Sequence, residues 1–252
     1  MLCGAAAVDP CVEIPNGGCA RSFMLSVVIL NWDRLHHVKR IVEKYQSYPD
    51  VREVLVVNSN PDAEFPSVDK LTVMQTTRDF GLDSRFAAAA MAATDQVLLQ
   101  DDDILLPQKT VAALSDASRR EPMRLHGLFG RNPNSENEYA LFYERTSAVA
   151  EIILTRAVVA WQSQISEFFP ARTRTPIIAA RRRHREFQTN PHNGEDIIFS
   201  YAVSAATGER HRVHDFEVEE LHGMGLGISE TGSGHYEFRT EIMRAAQMLR
   251  RS

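Results

Sequence analysis

The stretch Val97–Pro107 reads VLLQDDDILLP. Three consecutive carboxylates, Asp101, Asp102 and Asp103, stand between two apolar runs. An apolar run of this length, with Gln96–Leu99 at its start, predicts a buried strand, so the aspartates fall at its C-terminal end. Adjacent carboxylates at the end of a buried strand repel one another and lose hydration, which is costly unless something neutralises them. A divalent cation does so, and hard cations such as Mg²⁺ and Mn²⁺ select carboxylate oxygens. The C-terminal ends of strands are also where open α/β sheets place ligands. A solvated acidic turn is the alternative for the triplet taken alone.

Upstream, the same alternation repeats. Phe23–Leu30, FMLSVVIL, is a near-continuous apolar run suited to a strand covered on both faces. After Asn31-Trp32-Asp33-Arg34, the positions Leu35, Val38, Ile41, Val42 and Tyr45 follow helical spacing, with Asp33 as the expected N-cap. Val51–Val57 is a second strand, ending at the turn signal Asn58-Ser59-Asn60-Pro61. Leu71–Met74 is a third. Asp83–Ala93 predicts an alanine-rich helix, and Pro107 the start of another. Strands alternating with helices predict an α/β fold with a doubly wound, mostly parallel central sheet flanked by helices.

Downstream, Leu125–Gly130, Glu138–Tyr143 and Val149–Leu154 read as strands of a smaller mixed sheet, and Ala157–Phe169 as a helix. Arg172–Arg185 carries six arginines and a histidine, and the run Arg181–Arg185 at its end reads as a solvated loop, or as a contact for an anionic acceptor. Asp196–Ala206 has helical spacing and stops at Gly208. The glycine-rich Leu221–Ser233 reads as a loop, and Glu237–Arg251 as a basic amphipathic helix. Residues 1–22 are expected to be a poorly ordered leader. Residues 23–252 form one domain, with 23–118 as its nucleotide-binding half and 119–252 as its acceptor-binding half.

The totals narrow the class. The 252 residues are 44% hydrophobic and 24% charged, the balance of a globule with a full core. A net charge of −5 disfavours nucleic acid as a whole-molecule partner. No apolar run approaches the roughly 20 residues that span a bilayer. The three cysteines all lie in the first twenty residues and offer the core no disulfide framework. The expected location is therefore cytoplasmic, with a peripheral membrane association left open.

The order of these features resembles the exostosin-type retaining glycosyltransferases of the GT-A fold. The residues that carry the resemblance are VVIL-NWDR, VLVV-NSN, Ser84-Arg85-Phe86, the DDD triplet (the family's DXD motif), Gly194-Glu195-Asp196-Ile197 and Ala206-Thr207-Gly208. It implies transfer of a hexose or N-acetylhexosamine from a UDP-sugar with Mn²⁺ or Mg²⁺ as cofactor. Asp103 would be the metal ligand, and Asp101 and Asp102 would face the ribose and sugar. Arg34, Asn58 and Asn60 would hold uracil and ribose, and Arg85 would face the donor. Asp196, with Glu195 beside it, would sit at the anomeric carbon, while His235 and Arg239 would close on the diphosphate. Phe80 and Ser59 stand where several members carry amides. The acceptor would be a glycan, a lipid-linked sugar or another anionic group.

The residues support that chemistry independently. A metal and a guanidinium can stabilise charge growing on a leaving phosphate. A carboxylate can steady or attack an oxocarbenium-like centre. Two other classes remain open at this point. A nucleotidyltransferase normally shows a glycine-rich loop after its first strand, which NWDR lacks. A silent glycan-binding module of the same fold would have no need of an intact DDD and GED.

Overall fold

The computed structural model describes residues 11–13, 19–21, 24–139, 148–183, 193–221 and 234–251. The parallel half begins with β3 (Leu25–Asn31), whose core residues Leu25, Val27, Val28 and Ile29 are buried on both faces. It continues through α1 (Leu35–Gln46), β4 (Val51–Asn58), β5 (Leu71–Gln75), α2 (Ser84–Ala89) and β6 (Gln96–Gln100). β3 pairs in parallel with both β4 and β6, and β4 with β5. The chain therefore winds outward from β3 to β5 and then returns to β6 on the other side. Strand order reverses between β3 and β6, and the crevice at their carboxyl ends is where such sheets bind ligands.

Helices cover both faces. Val38, Ile41 and Tyr45 of α1 pack one face together with Val111 and Leu114 of α3 (Gln108–Arg120). The other face is covered by aromatic residues of α2, α4 (Gln162–Arg172), α6 (Glu195–Thr207) and α7 (His235–Gln247). There Phe86 stacks on Phe168 with ring centroids 3.8 Å apart and meets Phe199 edge-on.

The second half extends the same sheet. β12 (Ala157–Trp161) lies antiparallel between β6 and β8 (His126–Gly127). β13 (His211–Val213) and β10 (Ala148–Ala150) complete an eight-stranded order of β10-β13-β8-β12-β6-β3-β4-β5. Small two-stranded pairings flank it: β9 (Gly130–Arg131) with β11 (Ile152–Ile153), and β7 (Ile104–Leu105) with β14 (Glu219–Glu220). Before the domain, β1 (Cys11–Glu13) pairs with β2 (Cys19–Arg21). Among the described residues no helix is long and apolar enough to cross a membrane.

Several local expectations change. Ala157–Trp161 is a strand and not the start of a helix, because all but Trp161 are fully buried between β6 and β8. A short apolar run does not by itself distinguish these two outcomes. The helix starts at Gln162, with Gln164 Oε1 accepting the Trp161 N–H at 2.9 Å. The helix predicted over Asp83–Ala93 ends at Ala89. Beyond it the backbone tightens into i→i−3 turns, Met91 N–H to the Ala88 carbonyl and Ala92 N–H to the Ala89 carbonyl, while Gln162 also donates to the Ala89 carbonyl and Glu53 accepts the Ala93 N–H. Arg34, not Asp33, stands at the cap of α1, and Pro107 stands at the cap of α3, one place before its first turn. The arginine-rich loop contains α5 (Thr175–Arg182). The expected strand Glu138–Tyr143 lies outside the described residues beyond Tyr139, as do Leu221–Ser233 beyond Leu221 and the arginine run beyond Arg183.

Gly127 sets how closely β8 approaches the turn between β11 and β12. A Cβ there would lie 2.4 Å from Ile153 Cγ2 and 2.7 Å from the Ala157 carbonyl oxygen. The backbone oxygen cannot move aside cheaply. Gly127→Ala should therefore cost about 1–3 kcal/mol, the usual penalty for overpacking, read as a lowered urea midpoint. An unchanged midpoint would show that the turn yields freely.

Candidate active site

At the switch point each aspartate of the triplet faces a guanidinium. Arg34, in the turn after β3, donates from Nη1 to Asp102 Oδ1 at 2.9 Å and lies 3.9 Å from Asp103 Oδ2. Arg85 of α2 donates to Asp101 Oδ1 at 2.9 Å. Arg156, in the turn between β11 and β12, donates from Nε to Asp103 Oδ1 at 3.1 Å. The Asp101 N–H is held by the Arg156 carbonyl at 3.0 Å. Burial raises the Asp102 carboxyl to about 6, against the pull of Arg34 and with added repulsion from Asp101 and Asp103.

A second cluster forms where α6 and α7 begin. Gly194 caps α6 with φ +84°, and a Cβ would meet Ile242 of α7 at 3.1 Å. The glycine of the GEDI block thus serves both the left-handed cap and the close helix approach. Arg239 Nη2 donates to Asp196 Oδ2 at 2.6 Å and to the Tyr139 hydroxyl at 2.8 Å, while Nη1 donates to Asn193 Oδ1 at 2.6 Å. Arg131 Nε also donates to the Tyr139 hydroxyl, at 2.9 Å. Burial alone would lower the Arg239 pKa; Asp196, Tyr139 and Glu195 together more than reverse this, so the guanidinium stays charged.

Thr155 joins the two clusters. Its carbonyl accepts Arg85 Nη1 at 3.0 Å, and its hydroxyl donates to Glu195 Oε1 at 2.8 Å. Burial, and then the Asp196 charge, push the Glu195 carboxyl up to about 7, with Arg85 and Arg239 pulling the other way. Both Asp196 oxygens have partners, since Oδ1 accepts the Ile197 N–H at 2.8 Å. By contrast Glu195 Oε2, Arg85 Nε and Arg239 Nε are buried without a hydrogen bond among the described residues. Buried polar atoms are nearly always paired, and three orphans in one network make it a candidate place for a ligand.

Other predicted residues sit differently. Asn31, Asn58 and Gln75 occupy paired positions at the ends of β3, β4 and β5. Asn58 is fully buried; its Oδ1 accepts from Asn31 and its Nδ2 donates to Gln75 and to the Asn60 carbonyl. Its side chain shapes the turn and leaves no polar atom for a base. Asn60 Oδ1 accepts the Asp62 N–H. His235 meets Asn193 at 3.0 Å, and burial, followed by the nearby Arg239, lowers it to about 4, so at neutral pH it is an uncharged ring. Arg181 grips buried Asp83 through both oxygens, at 2.7 and 2.9 Å, and ties α5 to the start of α2. That bidentate pair takes Arg181 out of the expected acceptor contact. Thr155, Arg156, Tyr139 and Asn193 had no signal in the sequence.

The donor set at Asp101–Asp103 is all oxygen, which suits a hard cation. Among the described residues no group of three or more His, Cys, Asp or Glu side chains converges to hold one. Magnesium-type cations are commonly held by one or two carboxylates with substrate phosphates completing the shell. Asp103, with 31% of its side chain exposed, fits that arrangement.

The Glycosyl transferase family 64 domain profile matches residues 25–247. The chain is 25% identical over 252 residues to glucosamine inositolphosphorylceramide transferase 1 of Arabidopsis thaliana, covering 96% of this chain and 31% of that protein. It is also 25% identical to glycosylinositol phosphorylceramide mannosyl transferase 1 of the same plant, covering 86% of this chain and 70% of the relative. The chain thus spans about a third of the first relative's length. A crystal structure of S. aureus TarS 1-349 in complex with UDP-GlcNAc shares the fold, with TM-score 0.53 at 13% identity. That match covers 82% of this chain and 61% of TarS.

Proposed function

The chain belongs to glycosyl transferase family 64, and from that premise we propose that it moves a sugar from a UDP-sugar to a glycolipid acceptor, with retention at the anomeric carbon. The observation that carries this reading is the continuous network Asp101–Arg85–Thr155–Glu195, which joins an acidic triplet at the switch point to a buried carboxylate–guanidinium cluster. A nucleotide sugar presents a matching pair of ends: an anionic diphosphate and an electrophilic carbon. The relatives named for inositolphosphorylceramide substrates, and TarS with its UDP-GlcNAc, support the glycolipid acceptor and the uridine donor.

In this reading Arg34 and Arg85 orient the diphosphate end beside the triplet. Asp103 would hold Mn²⁺ or Mg²⁺ against the diphosphate, and the cation would offset the charge developing as the sugar–phosphate bond breaks. Glu195, with Oε2 unengaged, is the carboxylate that faces the anomeric carbon. Asp196, whose oxygens are both taken, holds Arg239 charged and in place. This reverses the roles expected for the two acids. Arg239 would meet negative charge on the leaving phosphate, a role supported by its unengaged Nε.

The test is a thermal-shift panel of UDP, GDP, CDP, ADP and dTDP, each with Mn²⁺ and with EDTA. A ligand at a hundred times its Kd adds about 2.7 kcal/mol. UDP with Mn²⁺ should raise Tm, and EDTA or Asp103→Asn should remove the metal-dependent part. A shift with every diphosphate alike, or with none, would overturn the donor assignment.

A further inference from the structure

Arg156 plays no part in the donor contacts proposed above, yet it is firmly fixed beside the triplet. Nε donates to Asp103 Oδ1 at 3.1 Å, Nη1 donates to Glu220 Oε1 at 3.2 Å, and Nη2 donates to Glu220 Oε2. Its guanidinium lies 4.7 Å over the Phe129 ring, and 18% of its side chain is exposed. Its backbone carbonyl holds the Asp101 N–H, so the side chain is anchored at the triplet from both ends. Glu220 itself is exposed and belongs to β14, which pairs with β7 directly after the triplet. The Leu221 N–H closes the pairing on the Asp103 carbonyl at 2.8 Å.

A guanidinium keeps its charge at every accessible pH. Asp103 therefore has a permanent positive neighbour on Oδ1, one of the two oxygens that a cation would use. Glu220 already holds the other two nitrogens of that guanidinium bidentately, the geometry in which arginine and carboxylate pair best, and so can keep it when the Asp103 contact is given up. We propose that Arg156 is a resident counter-cation of Asp103, released from it and retained by Glu220 alone when a metal binds, so that the Arg156–Glu220 pair sets the threshold for metal entry. This inference rests on the reading above in which Asp103 takes the metal.

The two partners then act in opposite directions. Arg156→Gln removes the competitor and should tighten Mn²⁺ about fivefold, taking the pair at the upper end for a partly exposed ion pair. Glu220→Gln leaves Arg156 with Asp103 alone and should weaken Mn²⁺ by about two- to threefold. In the Arg156→Gln background, Glu220→Gln should have no further effect. Arg40→Gln, which breaks the neighbouring pair with Glu219, changes the net charge equally and should leave Mn²⁺ affinity unchanged.

The measurement is free Mn²⁺ followed by electron paramagnetic resonance during titration of the full chain, with and without UDP. Opposite shifts that merge in the double variant support the proposal. If wild type binds Mn²⁺ while Arg156→Gln binds it equally or more weakly, the counter-cation role is overturned and the metal reading stands. If wild type binds no Mn²⁺ even with UDP, both fall. Glu220 is exposed, so its variant is expected to fold and gives an independent answer.

Discussion

Glu195→Gln should lower kcat by about 10²–10³-fold, the size of effect seen when one preorganised electrostatic partner is removed, while leaving UDP-sugar binding nearly unchanged. That split is the signature of an interaction made mainly in the transition state. Gln can still accept the Thr155 hydroxyl, so the local network survives. The pH dependence sharpens the test. Folding raises this carboxyl from 4.5 to about 7, so the folded state holds the proton more tightly than the unfolded chain does. Its contribution to stability is complete below about 4.5 and declines as pH climbs through about 7. A glutamine has no such decline, so the variant should melt no lower than wild type at pH 8 and should show a flatter Tm–pH curve. Catalysis by the ionised carboxylate should rise through the same interval in wild type, and the residual rate of the variant should not. A variant that keeps its turnover, or that loses donor binding in parallel, would assign the reacting carboxylate elsewhere.

Arg239→Met should cost stability first. The guanidinium is buried and supplies donors to Asp196, Asn193 and Tyr139. Removing it strands a buried carboxylate, which typically costs about 3–5 kcal/mol. For a domain of this size that corresponds to a fall in Tm of roughly 6–20 °C. Arg239→Met combined with Asp196→Asn removes both charges and should recover much of the loss, because replacing a whole buried pair is often near neutral. A double-mutant cycle by urea denaturation reads the coupling directly. Additive effects of the two changes would mean that the ion pair contributes nothing beyond its packing. Turnover should be lost in both variants, since neither leaves a guanidinium near the leaving phosphate.

The parallel half of the fold was legible in the sequence because its information is local. FMLSVVIL, EVLVV and QVLL are short apolar runs, the first two rich in β-branched residues, and their length and the breaks that follow them favour strands covered on both faces, while the helices between them carry their own spacing. Three carboxylates at a strand end were readable as a site because their mutual repulsion demands a partner nearby. Glu195-Asp196 was readable as the acidic first turn of a helix, whereas the left-handed Gly194 cap before it emerged only from the structure.

What the tertiary structure decided is how those pieces complete one another. Ala157–Trp161 became a strand because β6 and β8 stand on either side of it, and no periodicity inside five apolar residues records that. Thr155 meets Glu195 across 40 positions, Arg156 meets Glu220 across 64, and Tyr139 meets Arg239 across 100. Each of those residues looks ordinary in its own neighbourhood. Their chemistry exists only where the strand-end turns and the two helix starts converge, and a hydrogen bond between distant positions leaves no trace in the local order of either one.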